Sequence, residues 1–303
     1  MLGIQLRDCR IPMSIAIAGA FTNFTTIPRL IPMSKTNMTT KPSSAPWADE
    51  PFPLIEIPST RTKSDHFYLK AASEMSHAHN VLLRSLNAIL QQGPCLPAPT
   101  DATRFRAKDV KDFLHYVHCW VKMVYHHHWV EETYVFPELG KLSGKPDLMD
   151  EPQHQHESFQ PGLKELDKYA TVTQADQYRW PDMKQIIESF SKNLTDHLYD
   201  EIRKFLELKD LDSEEYRKTW TKAEEMAKQS SNITLLYDMV PLILGCADKS
   251  YEGGNEYPPY HWVMPYVVKY WFAAGNGAWR FNPCDFWGRP RPLPFVAKDG
   301  TGN

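Results

Sequence analysis

His79, His128, His156 and His197 each fall on the apolar stripe of a different predicted helix, and two are followed four residues on by a glutamate: Glu132 after His128, Glu201 after His197. Residues four apart on a helix project from one face. Four such helices packed together would direct imidazoles and carboxylates into a single interior. A lone histidine on an apolar face is ordinarily a hydrogen-bonded core residue. Burying several imidazoles with two carboxylates is costly unless a cation supplies the opposite charge and the missing partners. The joint pattern therefore points to a metal site. No cysteine lies at ligand spacing from these histidines and H-E-x-x-H is absent, which sets aside the usual structural-zinc and zinc-protease arrangements for them. Mixed imidazole and carboxylate donors suit iron or manganese, and a set of this size exceeds what one tetrahedral ion takes. Two metals bridged by carboxylates is the economical arrangement, with zinc the competing ion.

The elements that must position these residues read clearly. Leu69, Ala72, Met75, Leu82, Leu86 and Ile89 keep a three-and-four spacing with His79 filling the gap, and Gly93-Pro94 stops that helix. A second helix runs from Val110 through Val117, Val124 and His128, with Pro137 kinking or ending it. A third, shorter helix carries His156, Phe159, Leu163, Leu166 and Ala170, weakened by Pro161 and Gly162. The fourth carries Ile187, Phe190, Leu194, His197, Glu201 and Phe205. Four apolar stripes joined by loops predict an all-α fold, an antiparallel four-helix bundle.

Outside the bundle the pattern changes. WADEPFPLIEIP, from Trp47 to Pro58, has three prolines and predicts an extended arm. Beyond residue 210 come a charged helix, an apolar helix interrupted by Pro241, and an aromatic stretch ending AWRFNPCDFWGRPRPLPF. That end is too rich in proline for regular structure and too aromatic for a free tail. It is expected to pack back onto the bundle as a lid that shapes a pocket. The predicted organisation is a leader over 1–45, disordered or a mis-called start, the metal-binding bundle over 46–210, and a helical and irregular aromatic-rich extension over 211–303.

The formal charge of -3 shows no basic excess, so nucleic acid is not an expected partner. Five scattered cysteines with no C-x-x-C pair read as reduced thiols. The apolar run from Ile11 to Phe21 is too short to span a bilayer. A cytoplasmic location is expected, or a mitochondrial one if the leader with Arg7 and Arg10 is a targeting segment. No nucleophile elbow, phosphate-binding loop or dinucleotide fingerprint is present.

The segments SHAHNVLLRSLN, HHHWVEETYVFPEL, HQHESFQPGLKEL and DHLYDEIRKFL resemble the four ligand-bearing helices of the haemerythrin-like, cation-binding (HHE) family, particularly its fungal members, as do the arm and the C-terminal run. The resemblance implies a bundle around a non-haem di-iron centre, which in relatives binds oxygen, senses iron or oxygen, or reacts with oxygen species. Matched motif by motif, it implies ligands at His79 through Leu82, at His156 through Phe159, and at His197 with Glu201. In HHHWVEE two pairs have the right spacing, His127 with Glu131 and His128 with Glu132. The apolar stripe selects His128. The family's Phe-Pro, with its phenylalanine four after the ligand glutamate, selects Glu132 through Phe136.

Oxygen-carrying relatives place a further histidine one turn before the third-helix ligand, where this chain has Pro152. Glu151 or His154 could substitute, and otherwise one metal has an additional open position. That ligand count is closer to oxygen-activating carboxylate di-iron enzymes. The expected function is O2 binding and activation by two iron ions, as an oxidoreductase on a small organic metabolite. The alternative is an O2- or iron-binding sensor, buffer or storage module without turnover. The expected partners are O2 and a small-molecule substrate, with no membrane.

Overall fold

The computed structural model describes residues 47–58, 65–230, 233–251 and 257–296, so the leader expected over 1–45 lies outside the described residues. The fold is all-α: among the described residues a single bridge, Cys284 with Pro290, is the one β-type pairing. The helices are α1 (Phe67–Gln92), α2 (Ala107–Val130), α3 (Phe136–Ser143), α4 (Asp150–Val172), α5 (Trp180–Glu207), α6 (Ser213–Ser230), α7 (Ile233–Cys246) and the short α8 (Met264–Val267). A π-turn, Glu131–Val135, joins α2 to α3.

Local chemistry sets the boundaries. His66 caps α1 by accepting from the Tyr68 N–H, and Gly93-Pro94 turns the chain out of it. The π-turn precedes Pro137, which has no N–H to give and whose ring would crowd the carbonyl four residues back. A wider turn, in which the Phe136 N–H reaches Glu131, relieves that crowding. Gly144, at φ 67°, closes α3 by donating back to Gly140 and Lys141. The third predicted helix is longer than expected: α4 starts at Asp150 and continues through Pro161. Glu157 and Pro161 are both exposed, so water can serve the carbonyl that Pro161 leaves unpaired.

The four long helices α1, α2, α4 and α5 touch in a ring, each packed on the next. Neighbours run in opposite directions. Along α1 and α5, Gly93 lies against Trp180, His79 meets Leu198 and His66 meets Leu211. Along α2 and α4, His118 pairs with Asp167, and His128 packs on His156. Along α4 and α5, Gly162 lies against Phe190 and Gln155 meets His197. The interior is filled by Phe113, Tyr116, Trp120, Phe159, Phe190 and Phe205, all fully buried.

Two asparagines of α1 hold the arm by its backbone. Asn80 accepts from the Ile55 N–H and donates to the Ile55 carbonyl, and Asn87 does the same with Phe52. The region after α5 packs on the bundle at two places. Tyr216 and Trp220 of α6 lie edge-on to Phe67, with Trp220 also on Phe205. Trp279 and Phe281, by contrast, lie against Tyr116, and Phe281 also against Phe113. Tyr116 is twelve residues before His128, about 18 Å along α2. This part of the aromatic run seals the far end of the bundle and does not roof the histidines.

Candidate metal centre

Every helix of the ring sends a donor into one buried layer: His79 from α1, His127 and His128 from α2, Glu131 from the π-turn, His156 from α4, and His197 and Glu201 from α5. They form two groups in which the ligand atoms lie within 4.8 Å of one another. One is His128, Glu131, His156 and His197. The other is His79, His127, Glu131 and Glu201. Glu131 belongs to both.

The inward atoms face each other closely. Nε2 of His79 is 3.2 Å from Glu201 Oε2, Nε2 of His127 is 2.9 Å from Glu131 Oε1, and the Nε2 atoms of His156 and His197 are 3.1 Å apart. The outer ring nitrogens are anchored. Nδ1–H of His79 donates to the Leu198 carbonyl at 2.8 Å, that of His197 to Gln155 Oε1 at 3.0 Å, and that of His156 to Glu132 Oε1 at 2.6 Å. A carbonyl only accepts, so these bonds place the proton on Nδ1 and leave the Nε2 lone pair pointing inward.

The layer is buried except at His127, whose side chain is partly exposed. His79, His156, His197 and Glu201 have no exposed surface. Burial holds His79, His128 and His197 well below the usual imidazole range, so these rings are neutral. Burial pushes Glu201 up to about 7, and burial with the neighbouring charges of Glu201 and Glu132 pushes Glu131 up as well. Nε2 of His79, His127 and His128, with both carboxylate oxygens of Glu131 and of Glu201, are buried without a hydrogen-bond partner. Orphaned lone pairs from three imidazoles and two carboxylates are what a cation would satisfy, and the donors fit a metal.

The structure places Glu132 outside both groups. Its side chain is about one-third exposed and acts on His156 from behind. The reason is the π-turn, whose wider winding sets the one-residue choice within HHHWVEE. Phe136, four residues after Glu132, is five after Glu131, and a π-turn brings that fifth residue round to the same side. His127 joins the layer because the two groups straddle the α2 stripe, and adjacent residues about 100° apart can reach one group each. Glu151 and His154 are not brought to the layer: both are exposed, and His154 lies near Glu157 instead. A fifth imidazole does reach the layer, from His127. Gln155 was not among the predicted residues, and its position one residue before a ligand on an otherwise polar helix gave no distinct signal.

The family model for the hemerythrin HHE cation binding domain matches residues 70–208, the span holding every donor of both groups. The chain belongs to the haemerythrin HHE family. It is similar to the dimeric xanthone biosynthesis cluster protein R11 of Cryptosporiopsis sp. (strain 8999), 37% identical over 255 residues, covering 82% of this chain and 93% of that protein. That likeness is longer than the HHE match, so it takes in sequence beyond the metal-binding helices. No solved structure matches the chain. As an HHE domain it presents histidine and glutamate groups suited to hold metal ions. Among the described residues no helix is long and apolar enough to cross a membrane.

Proposed function

We propose that the protein holds two iron ions and uses them to bind and activate O2, as an oxidoreductase acting on a small organic metabolite. The observation that carries this reading is Glu131, a carboxylate shared by two groups of four donors. A shared carboxylate can bridge two ions, and four donor residues per group fall short of the six positions about an octahedral ion, leaving room for an external ligand. Iron held there would supply the electrons and Lewis acidity that oxygen reduction needs. Manganese suits the same donors, and zinc competes for them.

The chain's own residues do the rest. The backbone carbonyl of Leu198 and the side chains of Gln155 and Glu132 fix three imidazoles in the tautomer that presents Nε2. Burial of the layer keeps water from the inward atoms. A groove of about 640 Å³ between α4 and α5, lined by Gln155, Ser158, Asn193, Asp196 and Asp200, reaches His197. It offers a polar approach, with Gln155 standing between groove and ligand. The similar protein from Cryptosporiopsis is named for a biosynthesis cluster, which supports a metabolic role.

One observation favours the second reading, a sensor, buffer or store that binds O2 or iron without turnover. His127 brings the imidazoles to five, one more than the four apolar stripes predicted. The test is anaerobic loading with ferrous iron followed by oxygen. Irreversible oxygen consumption, coupled to conversion of an added xanthone, is expected. Oxygen uptake that reverses fully on evacuation, with the xanthone recovered unchanged, would overturn the enzyme reading in favour of the carrier.

A further inference from the structure

A separate cluster of donors lies on the opposite side of α2's mid-section. His115 and Cys119 sit one helical turn apart on α2, and Asp238 comes from α7. Their ligand atoms lie within 4.8 Å of one another, and Cys119 Sγ is 3.7 Å from His115 Nε2. A sulfur and an imidazole nitrogen on one tetrahedral zinc, at ordinary bond lengths, stand about 3.6 Å apart. The cluster is distinct from the five-imidazole layer: Cys119 precedes His128 by nine residues, about 14 Å along the helix.

We propose that His115, Cys119 and Asp238 form a second, mononuclear site for a thiophilic divalent cation of the zinc type, joining α2 of the bundle to α7 of the C-terminal region. The donor set is imidazole, thiolate and carboxylate, which with one solvent molecule completes a tetrahedron. Cys119 is fully buried while His115 and Asp238 are half-buried, so an ion can enter from the solvent side and the sulfur forms the floor. Binding displaces the thiol proton to solvent and forms a metal–sulfur bond, with no change of oxidation state.

Lys122, one turn beyond Cys119, forms a short ion pair with Asp238 Oδ2. A carboxylate has two oxygens, so the ammonium can hold Oδ2 while the other oxygen faces the ion, as an outer partner commonly orients a ligand. The same ammonium repels a dication, so it sets the affinity of the site.

Cobalt(II) distinguishes this site from the bundle layer, because neither of the layer's groups contains sulfur. Titrated into the full-length metal-free protein, cobalt is expected to raise a near-ultraviolet thiolate-to-cobalt band, whatever further cobalt the bundle layer takes up, and added zinc should erase it. Cys119→Ser should abolish the band, His115→Ala and Asp238→Asn should each weaken cobalt binding at least about tenfold, and Lys122→Met should tighten it. The band should survive Glu131→Ala, which disrupts the bundle layer, and Cys95→Ser, which removes an exposed thiol. Far-ultraviolet circular dichroism checks that each variant is folded. Absence of the band in the wild-type protein would overturn the proposal, as would a band whose affinity is unaltered in both His115→Ala and Asp238→Asn.

Discussion

Glu131 and Glu132 are neighbours in the chain with different surroundings. Glu131 is buried in the layer with both oxygens unpaired, while Glu132 takes the outer proton of His156 and reaches solvent. Removing a donor shared by two groups should cost more than removing the carboxylate behind one ligand. Glu131→Ala is expected to lower bound metal by at least half, whereas Glu132→Ala should keep the full complement at about 10- to 100-fold weaker affinity. Metal analysis after reconstitution and dialysis gives both numbers, and the reverse ranking would show that Glu132 is the ligand. His126→Ala is the control, since His126 stacks on Trp129 and belongs to neither group. His79, His156, His197 and Glu201 stand out in the sequence because each interrupts a regular apolar stripe, the pattern helical periodicity exposes. The choice within HHHWVEE does not, because a π-turn changes the winding over five residues and no 3.6-residue period contains that change.

At the scale of the element, α4 is where sequence signals and structure part most. Pro161-Gly162 reads as a break, yet the helix runs unbroken from Asp150 to Val172. The proline costs one hydrogen bond on the solvent side, and the glycine faces the other way. A Cβ at Gly162 would fall 2.6 Å from Phe190 Cδ1 and 2.7 Å from Phe190 Cβ, so the missing side chain is what lets α5 approach α4. Alanine would gain about 1 kcal/mol in helix propensity. Displacing a packed phenylalanine from near its own Cβ costs about 1–3 kcal/mol and forces the two helices apart. Gly162→Ala is therefore expected to destabilise the protein by about 1 kcal/mol net, and by at most about 2 kcal/mol, in urea unfolding. The helices it separates carry His156 and His197, so metal affinity should fall with stability. A variant as stable as the parent would show that the close approach of α4 and α5 has slack. The four stripes, by contrast, were readable because the tight contacts of Trp120, Phe159 and Phe190 all sit on apolar positions three or four apart.

For the whole molecule, the decisive feature is that the donors come from all four helices of the ring while the segments outside it are tied to the same helices. Arg84 of α1 donates to the Cys246 carbonyl at the end of α7 and pairs with Asp49 of the arm and Asp248 beyond α7. Asn80 and Asn87 fasten the arm to α1, and Gln92 donates to the Phe281 carbonyl. Aromatic content alone indicated that the C-terminal run would be buried. The end of the bundle it covers depends on long-range contacts such as Phe281 on Phe113, which no local pattern encodes. With arm, ring and extension joined in this way, loss of metal should weaken the molecule as one unit. A ligand present at a thousandfold over its Kd stabilises the folded state by about 4 kcal/mol. For a chain of this size, each kcal/mol moves the midpoint by about 2–4 °C. Chelation should then lower Tm by roughly 8–16 °C in a single shifted transition, restored by ferrous iron or manganese under anaerobic conditions. Glu131→Ala should abolish most of that metal-dependent shift, because it removes the donor common to both groups. A Tm indifferent to chelator and metal would mean that the buried imidazoles and carboxylates are satisfied without an ion, which their unpaired inward atoms argue against.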